Sequence, residues 1–138
     1  MIKIATTDSD FMYCFTLMLQ LRPHLIKDEF LSLSREMQNM GYQLAFLEKS
    51  GIAVALAGYR ININYFMGKH LYVDDLVTDE SCRSKGYGEE LIQWLKQTAN
   101  DHNCEYLHLD SGTQRHRAHK FYLSQDFNIA SYHFTQKL

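Results

Sequence analysis

The sequence predicts an α/β (α+β) fold in which a mixed, mostly antiparallel sheet is flanked by helices. Three observations predict it. Apolar residues recur at spacings of three and four near the N-terminus, change to dense or alternating runs from residue 42, and return to helical spacing after residue 84. Glu48-Lys49-Ser50-Gly51 separates two strand-like runs, which is a hairpin signal. From residue 70 a strand, a long helix and another strand follow at the length of a parallel crossover.

Ile2–Ala5 is short, partly β-branched and reads as a first strand. Thr6, Thr7 and Asp8 offer N-cap oxygens to a helix running to Leu21, with Phe11, Phe15, Met18 and Leu19 on one side. Pro23, the only proline, punctuates. Lys27–Met40 reads as a second helix with Phe30, Leu33, Met37 and Met40 on its apolar stripe, closed by Gly41. Tyr42–Leu47 and Ile52–Ile61 read as strands, the second so apolar that it belongs in the middle of a sheet. Asn62–Lys69 is ambiguous, with a turn signal at Gly68. His70–Thr78 is the fourth strand. Ser84–His102 is a long helix with Tyr87, Leu91, Leu95, Thr98 and His102 on one side and Ile92 and Ala99 beside them. Tyr106–Asp110 is a strand, Gln114–Ser124 a helix carrying Ala118, Phe121 and Tyr122, and Asn128–Thr135 alternates as a final strand. The expected order is β-α-α-β-β-β-α-β-α-β, in one domain spanning residues 1–138.

The 138 residues are 46% hydrophobic and 22% charged, an ordinary globular balance that argues against disorder. Fourteen Lys and Arg against sixteen Asp and Glu give a net charge of −2, so nucleic-acid binding by bulk charge is not expected. The apolar run Ile52–Gly58 is too short to span a bilayer, and Met-Ile-Lys-Ile-Ala is not the start of a secretory signal. A cytoplasmic location is expected. Cys14, Cys82 and Cys104 are odd in number and widely spaced, which favours reduced thiols over a disulfide framework or a zinc site.

Chemistry concentrates in two places. Within His70–Thr78, Leu71 and Val73 hold one phase of the strand alternation and Leu76 and Thr78 the other. Asp74 and Asp75 sit where the phase slips. Two adjacent carboxylates in an apolar strand are costly unless something uses them, and a β-bulge accounts for the slip. An early end to the strand, with both acids solvated, is the competing reading. Directly after this strand, Arg83-Ser84-Lys85-Gly86-Tyr87-Gly88 opens the long helix. Free amides at a helix start, glycines that allow close approach and two cations form an anion site. The segment is neither a P-loop nor a GxGxxG turn.

Residues 78–88 resemble motif A of the GNAT superfamily of acyl-CoA-dependent N-acyltransferases, whose pattern is Gln/Arg-x-x-Gly-x-Gly/Ala after a bulged strand. Independently, Ala118-His119-Lys120-Phe121-Tyr122-Leu123-Ser124-Gln125-Asp126-Phe127 resembles that family's Ala-x-x-Phe-Tyr-x-x-x-Gly-Phe. Asp126 stands in place of the family's glycine, and Asp tolerates the left-handed conformation better than most residues. Arg115 stands where an Asn is often found, and is assigned either to a phosphate or to the acceptor site.

The resemblance implies acetyl-CoA as co-substrate, with its diphosphate on the amides of Arg83, Ser84, Lys85, Gly86, Tyr87 and Gly88. It implies a pantetheine arm along Leu76, Val77 and Thr78, an oxyanion donor near Leu76, and Tyr122 as general acid to the leaving thiolate. Asp74 is the better base candidate and Asp75 orients the amine; the swapped roles, or a base acting through water, are the alternatives. The acceptor is an amine of a small molecule or peptide. Asp74, Asp75, Glu105 and Asp110 suggest a negative cleft for a cationic amine. A catalytically silent CoA-binding sensor of the same fold is the rival from another class. Cys82 has no sequence-linked His or Asn to make it a nucleophile, and His108, His116, His119 and His133 show no metal-ligand spacing. Ser111, Arg115 and His116 bind substrate or cap the helix, and Trp94 reads as a packing residue. A homodimer is compatible with the aromatic segment Tyr132-His133-Phe134.

Overall fold

The computed structural model describes all 138 residues. Five strands form one sheet in the spatial order β1 (Ile2–Ile4), β2 (Gln43–Lys49), β3 (Ile52–Asn64), β4 (Gly68–Thr78), β5 (Tyr106–Leu109). The helices are α1 (Asp8–Leu21), α2 (Lys27–Asn39), α3 (Tyr87–Asp101) and α4 (His116–Ser124). The chain falls into two compact units, Met1–His108 and Leu109–Leu138.

Hairpin-length connections make β2, β3 and β4 antiparallel neighbours, and β1 pairs antiparallel with β2. The β4–β5 pair differs. Glu105 N–H donates to the Lys69 carbonyl at 2.7 Å, and the His108 and His70 rings meet through nitrogens 2.8 Å apart. Residue numbers rise together along the two strands, the register of a parallel pair. β5 has four residues and β4 eleven, so β5 does not reach the C-terminal half of β4, whose ladder partner is β3.

Helices cover both faces of the sheet. On one, Phe11, Cys14, Phe15, Met18 and Phe30 pack with Tyr42, Leu44, Phe46 and Leu56. On the other, α3 buries Leu91, Ile92, Leu95 and Ala99 against β3 and β4. Trp94 meets Tyr59 edge-on at 5.8 Å, a packing contact. Each large side chain so buried contributes roughly 1.5–3 kcal/mol. The α1 start is a capping box: Thr7 Oγ1 accepts from Asp10 N–H, and Asp10 Oδ2 accepts from the amides of Thr6 and Thr7.

Several boundaries move, each for a local reason. The ambiguous stretch 62–69 is a hairpin: β3 runs on to Asn64, whose Oδ1 accepts from Met67 N–H at 2.6 Å, and β4 begins at Gly68. The long helix begins at Tyr87, not Ser84, because Ser84 (φ +67°) and Gly86 (φ +82°) are left-handed. On α2 the buried stripe is narrower than expected: Leu33 and Met40 are exposed. The expected strand over 128–135 does not form. Ile129, Tyr132 and Phe134 are 78%, 86% and 91% exposed, so its alternation has no buried face to fix a register.

Candidate active site

The ladder between β3 and β4 pairs Gly58 with Asp75 and Tyr59 with Val73. Asp74 is therefore the extra residue, and β4 carries the expected bulge at the two acids. Past it, Leu76, Val77 and Thr78 pair with Ala57, Leu56 and Ala55 of β3 and lie on the half of β4 that β5 does not reach.

Sequence-distant residues engage both carboxylates. Arg22 caps α1 immediately before Pro23, which disfavours helical geometry there; its φ of −123° and ψ of 72° throw the side chain outward. Its Nε donates to Asp75 Oδ1 at 3.0 Å and its Nη2 to the Asp74 carbonyl at 2.9 Å. Arg60, on β3, donates through Nε to Asp74 Oδ2 at 3.0 Å. Tyr42 donates its hydroxyl to Asp75 Oδ2 at 2.9 Å.

Tyr42 is delivered there by backbone chemistry. The α2 helix ends with Gly41 at φ +94°, Tyr42 N–H bonding the Met37 carbonyl and Gly41 N–H the Gln38 carbonyl. That is a Schellman closure, and it sends Tyr42 onto the sheet. Gly58 leaves room for the ring: a Cβ at that position would lie 1.9 Å from the Tyr42 hydroxyl oxygen.

Burial pushes the Asp74 carboxyl above its ordinary range, against the opposing hydrogen bond and charge of Arg60. Asp74 Oδ1 is buried with no hydrogen-bond partner. Burial, then the Asp75 charge, hold the Tyr42 phenol well above its ordinary value. The expected negative cleft needs correction, because Asp74 and Asp75 each carry an arginine at 3.0 Å. Asp110 Oδ1 lies 3.5 Å from His133 Nδ1, a contact that compensates charge only where the imidazole is protonated.

After β4 a single 3₁₀ turn, Glu80–Cys82, is capped by Asp79, whose carboxylate accepts from Ser81 N–H at 2.8 Å. Cys82 lies in this turn, half-buried. Arg83, Ser84, Lys85 and Gly86 are exposed and lead into α3. The first intrahelical bond runs from Glu90 N–H to the Gly86 carbonyl at 3.0 Å, and no side chain caps the helix. The amides of Tyr87, Gly88 and Glu89 thus project from the positive end of a 15-residue helix. Glu89 and Glu90 oppose an anion there, while Arg83 and Lys85 favour one. Space does not require glycine at 86, since a Cβ would meet nothing within 4 Å; the left-handed φ does. Backbone left-handed at a non-glycine such as Ser84 is a feature that clusters at ligand sites.

Arg115 and Tyr122 belong to the second unit. Arg115 is the N-cap residue of α4 and makes no side-chain cap. Tyr122 lies edge-on to Phe121 and Phe127 at 5.5 and 5.8 Å. Burial raises its phenol above the ordinary value, with the Arg115 charge working the other way. The helix closes behind it: Phe127 N–H bonds the Tyr122 carbonyl, Asp126 N–H the Leu123 carbonyl, and Asp126 takes φ +66°. Asp126 therefore performs the left-handed turn in glycine's place. His119 meets the Gly112 carbonyl at 2.7 Å. No group of three or more His, Cys, Asp or Glu is arranged to hold a metal ion.

A bulged strand thus leads through a left-handed glycine into a helix that no side chain caps. The family model described as Acetyltransferase (GNAT) family matches residues 10–127. The chain belongs to that family. The uncharacterized N-acetyltransferase YhdJ of Bacillus subtilis (strain 168) is 34% identical over 134 residues, covering 96% of this chain and 94% of that one. An aminoalkylphosphonate N-acetyltransferase of Salmonella typhimurium is 26% identical over 107 residues, 72% of this chain and 64% of that one. Among solved structures, the aminoglycoside N-acetyltransferase AAC(6')-Iy in complex with CoA matches at a TM-score of 0.86 and 16% identity, covering 100% of this chain and 95% of that one. This last likeness speaks to the fold alone. The GNAT-family chain is an acyltransferase built on a five-stranded mixed sheet.

Arg22, Tyr42 and Arg60 were not among the sequence-derived candidates. One signal for them was present: Gly58, an isolated glycine inside an otherwise apolar strand, marks a place where another group comes close.

Proposed function

We propose that the chain transfers an acetyl group from acetyl-CoA to the amine of a small molecule or peptide, by direct attack with both substrates bound. The observation that carries this is the uncapped α3 N-terminus that follows the half of β4 beyond the reach of β5. In this reading the amides of residues 83–88 hold the diphosphate, and Arg115 is assigned to a phosphate. The backbone of Leu76, Val77 and Thr78 takes the pantetheine arm, and an amide near Leu76 donates to the oxyanion. Family-model coverage of residues 10–127 crosses both units, which supports treating them as one catalytic domain.

Asp74 is the base. Its raised pKa makes it a stronger proton acceptor than an ordinary carboxylate, and Oδ1 has no competing partner. Asp75, held by Arg22 and Tyr42, orients the amine. Tyr122 protonates the departing thiolate, which a phenol with a raised pKa does while remaining neutral. The exposed segment with Tyr132 and Phe134 supports a homodimer. Sedimentation is expected to show a dimer that is lost on deleting residues 128–138; a monomeric full-length chain overturns this. Free Cys14, Cys82 and Cys104 fit a cytoplasmic location.

Replacing Tyr122 by Phe tests the mechanism. Loss of a positioned acid is expected to lower kcat by about 10²–10⁴-fold with little change in the KM for acetyl-CoA. Because burial raises the Tyr122 phenol above its ordinary value, wild-type activity is expected to rise as the acceptor amine deprotonates, with no descending limb from this group in the neutral or mildly alkaline range. Unchanged turnover in Tyr122→Phe removes Tyr122 from the role. Binding of CoA without thiol release for any amine favours the silent sensor.

A further inference from the structure

Between α1, α2 and the sheet lies a cavity of about 170 Å³, formed wholly within the first unit. Its walls are Met18, Leu25, Phe30, Leu33, Met37 and Leu44. The exposed Leu33 is one of these wall residues. His24 also belongs to the lining; the other polar groups there are engaged. Ser34 Oγ donates to the Phe30 carbonyl at 2.7 Å, Tyr42 donates to Asp75, and Asp75 takes Arg22. Asp75 and Arg22 connect this lining to the bulge, since Arg22 also holds the Asp74 carbonyl.

The geometry points to this cavity as the acceptor's side-chain pocket, and to the acceptor as an amine carrying one apolar group of about benzene size. This rests on the acetyl-transfer reading above. Size supports the assignment: apolar cavities of about 150 Å³ take up benzene. Charge supports it too. A polycation needs uncompensated carboxylates, and the two at the bulge are paired with Arg60 and Arg22. Six of the lining side chains are apolar, while Arg22 and His24 are its basic groups, so 2-aminoethylphosphonate is the competitor that tests whether the lining favours an anionic tail. The amine nitrogen stays at the polar end, beside the bulge, and the apolar group fills the space under α2.

The test uses the full chain and measures CoA release with phenethylamine, isoamylamine, spermidine, neamine and 2-aminoethylphosphonate. Phenethylamine is expected to exceed the polycations and the phosphonate by at least tenfold in kcat/KM. Met37→Trp, which fills the cavity, and Leu33→Phe, a milder change in its wall, are expected to shrink that preference at least fivefold with the KM for acetyl-CoA unchanged. Equal or reversed preference, or a preference that survives Met37→Trp in a folded protein, overturns the proposal. Fluorine NMR of 4-fluorophenethylamine separates the two failures. Saturable binding that Met37→Trp abolishes, with no CoA release for any amine, upholds the pocket and sinks acetyl transfer. CoA release to another amine with no binding of the fluorinated probe sinks the pocket alone.

Discussion

Gly58 shows how one missing methyl group shapes the site. It lies opposite Asp75 in the β3–β4 ladder, and the Tyr42 ring crosses it to reach that carboxylate. A methyl group there would sit 1.9 Å from the Tyr42 oxygen, so either ring or strand must move. Gly58→Ala is expected to cost about 1–3 kcal/mol in denaturant unfolding, the usual range for overpacking. A crystal structure of the variant is expected to show Tyr42 off Asp75; native stability with that contact intact would contradict the account. Asp74 and Asp75 were legible in the sequence because two acids in an apolar strand are anomalous. Their partners were not, since Arg22 is 53 residues from Asp75 and Tyr42 is 33. Pattern along a chain reports faces, whereas ion pairs of that separation follow from the completed sheet.

At the scale of elements, helix ends place the aromatic residues. Both α2 and α4 finish in Schellman closures, with Gly41 and Asp126 at the left-handed position. The second closure brings Phe127 against Tyr122. Asp pays a conformational penalty that glycine does not, so Asp126→Gly is expected to raise stability by about 0.5–1 kcal/mol while leaving Tyr122 in place. A drop in thermal midpoint would mean that the Asp126 carboxylate has a role the closure does not explain. Helices, central strands and the bulge were legible because each has a local signature: caps, apolar periodicity or a slip in alternation. The final strand was not, because alternation over 128–135 states which residues share a side but not whether a ladder exists to receive them. The exposure of Leu33 was hidden for a related reason: a helical stripe does not reveal that a cavity lies beneath part of it.

For the molecule as a whole, the account depends on one arrangement. A strand that loses its neighbour halfway leads through two left-handed residues into a helix whose first amides no side chain caps. This part of the site was the most legible, since motif and geometry occupy the same contiguous residues. The pocket proposed for the acceptor was the least, its lining being drawn from α1, α2, β2 and β4. Net charge does not decide the acceptor either: −2 overall coexists with acids at the bulge that are neutralised by arginines. The most direct test is calorimetric titration of acetyl-CoA into the full chain and into Gly86→Ala, a position where the added methyl meets open space and only the φ of +82° is penalised. Saturable one-to-one binding that weakens with salt is predicted, with an affinity loss of about tenfold in the variant, the equivalent of a left-handed penalty of about 1–2 kcal/mol. Absence of binding for acetyl-CoA and every other CoA thioester would contradict it.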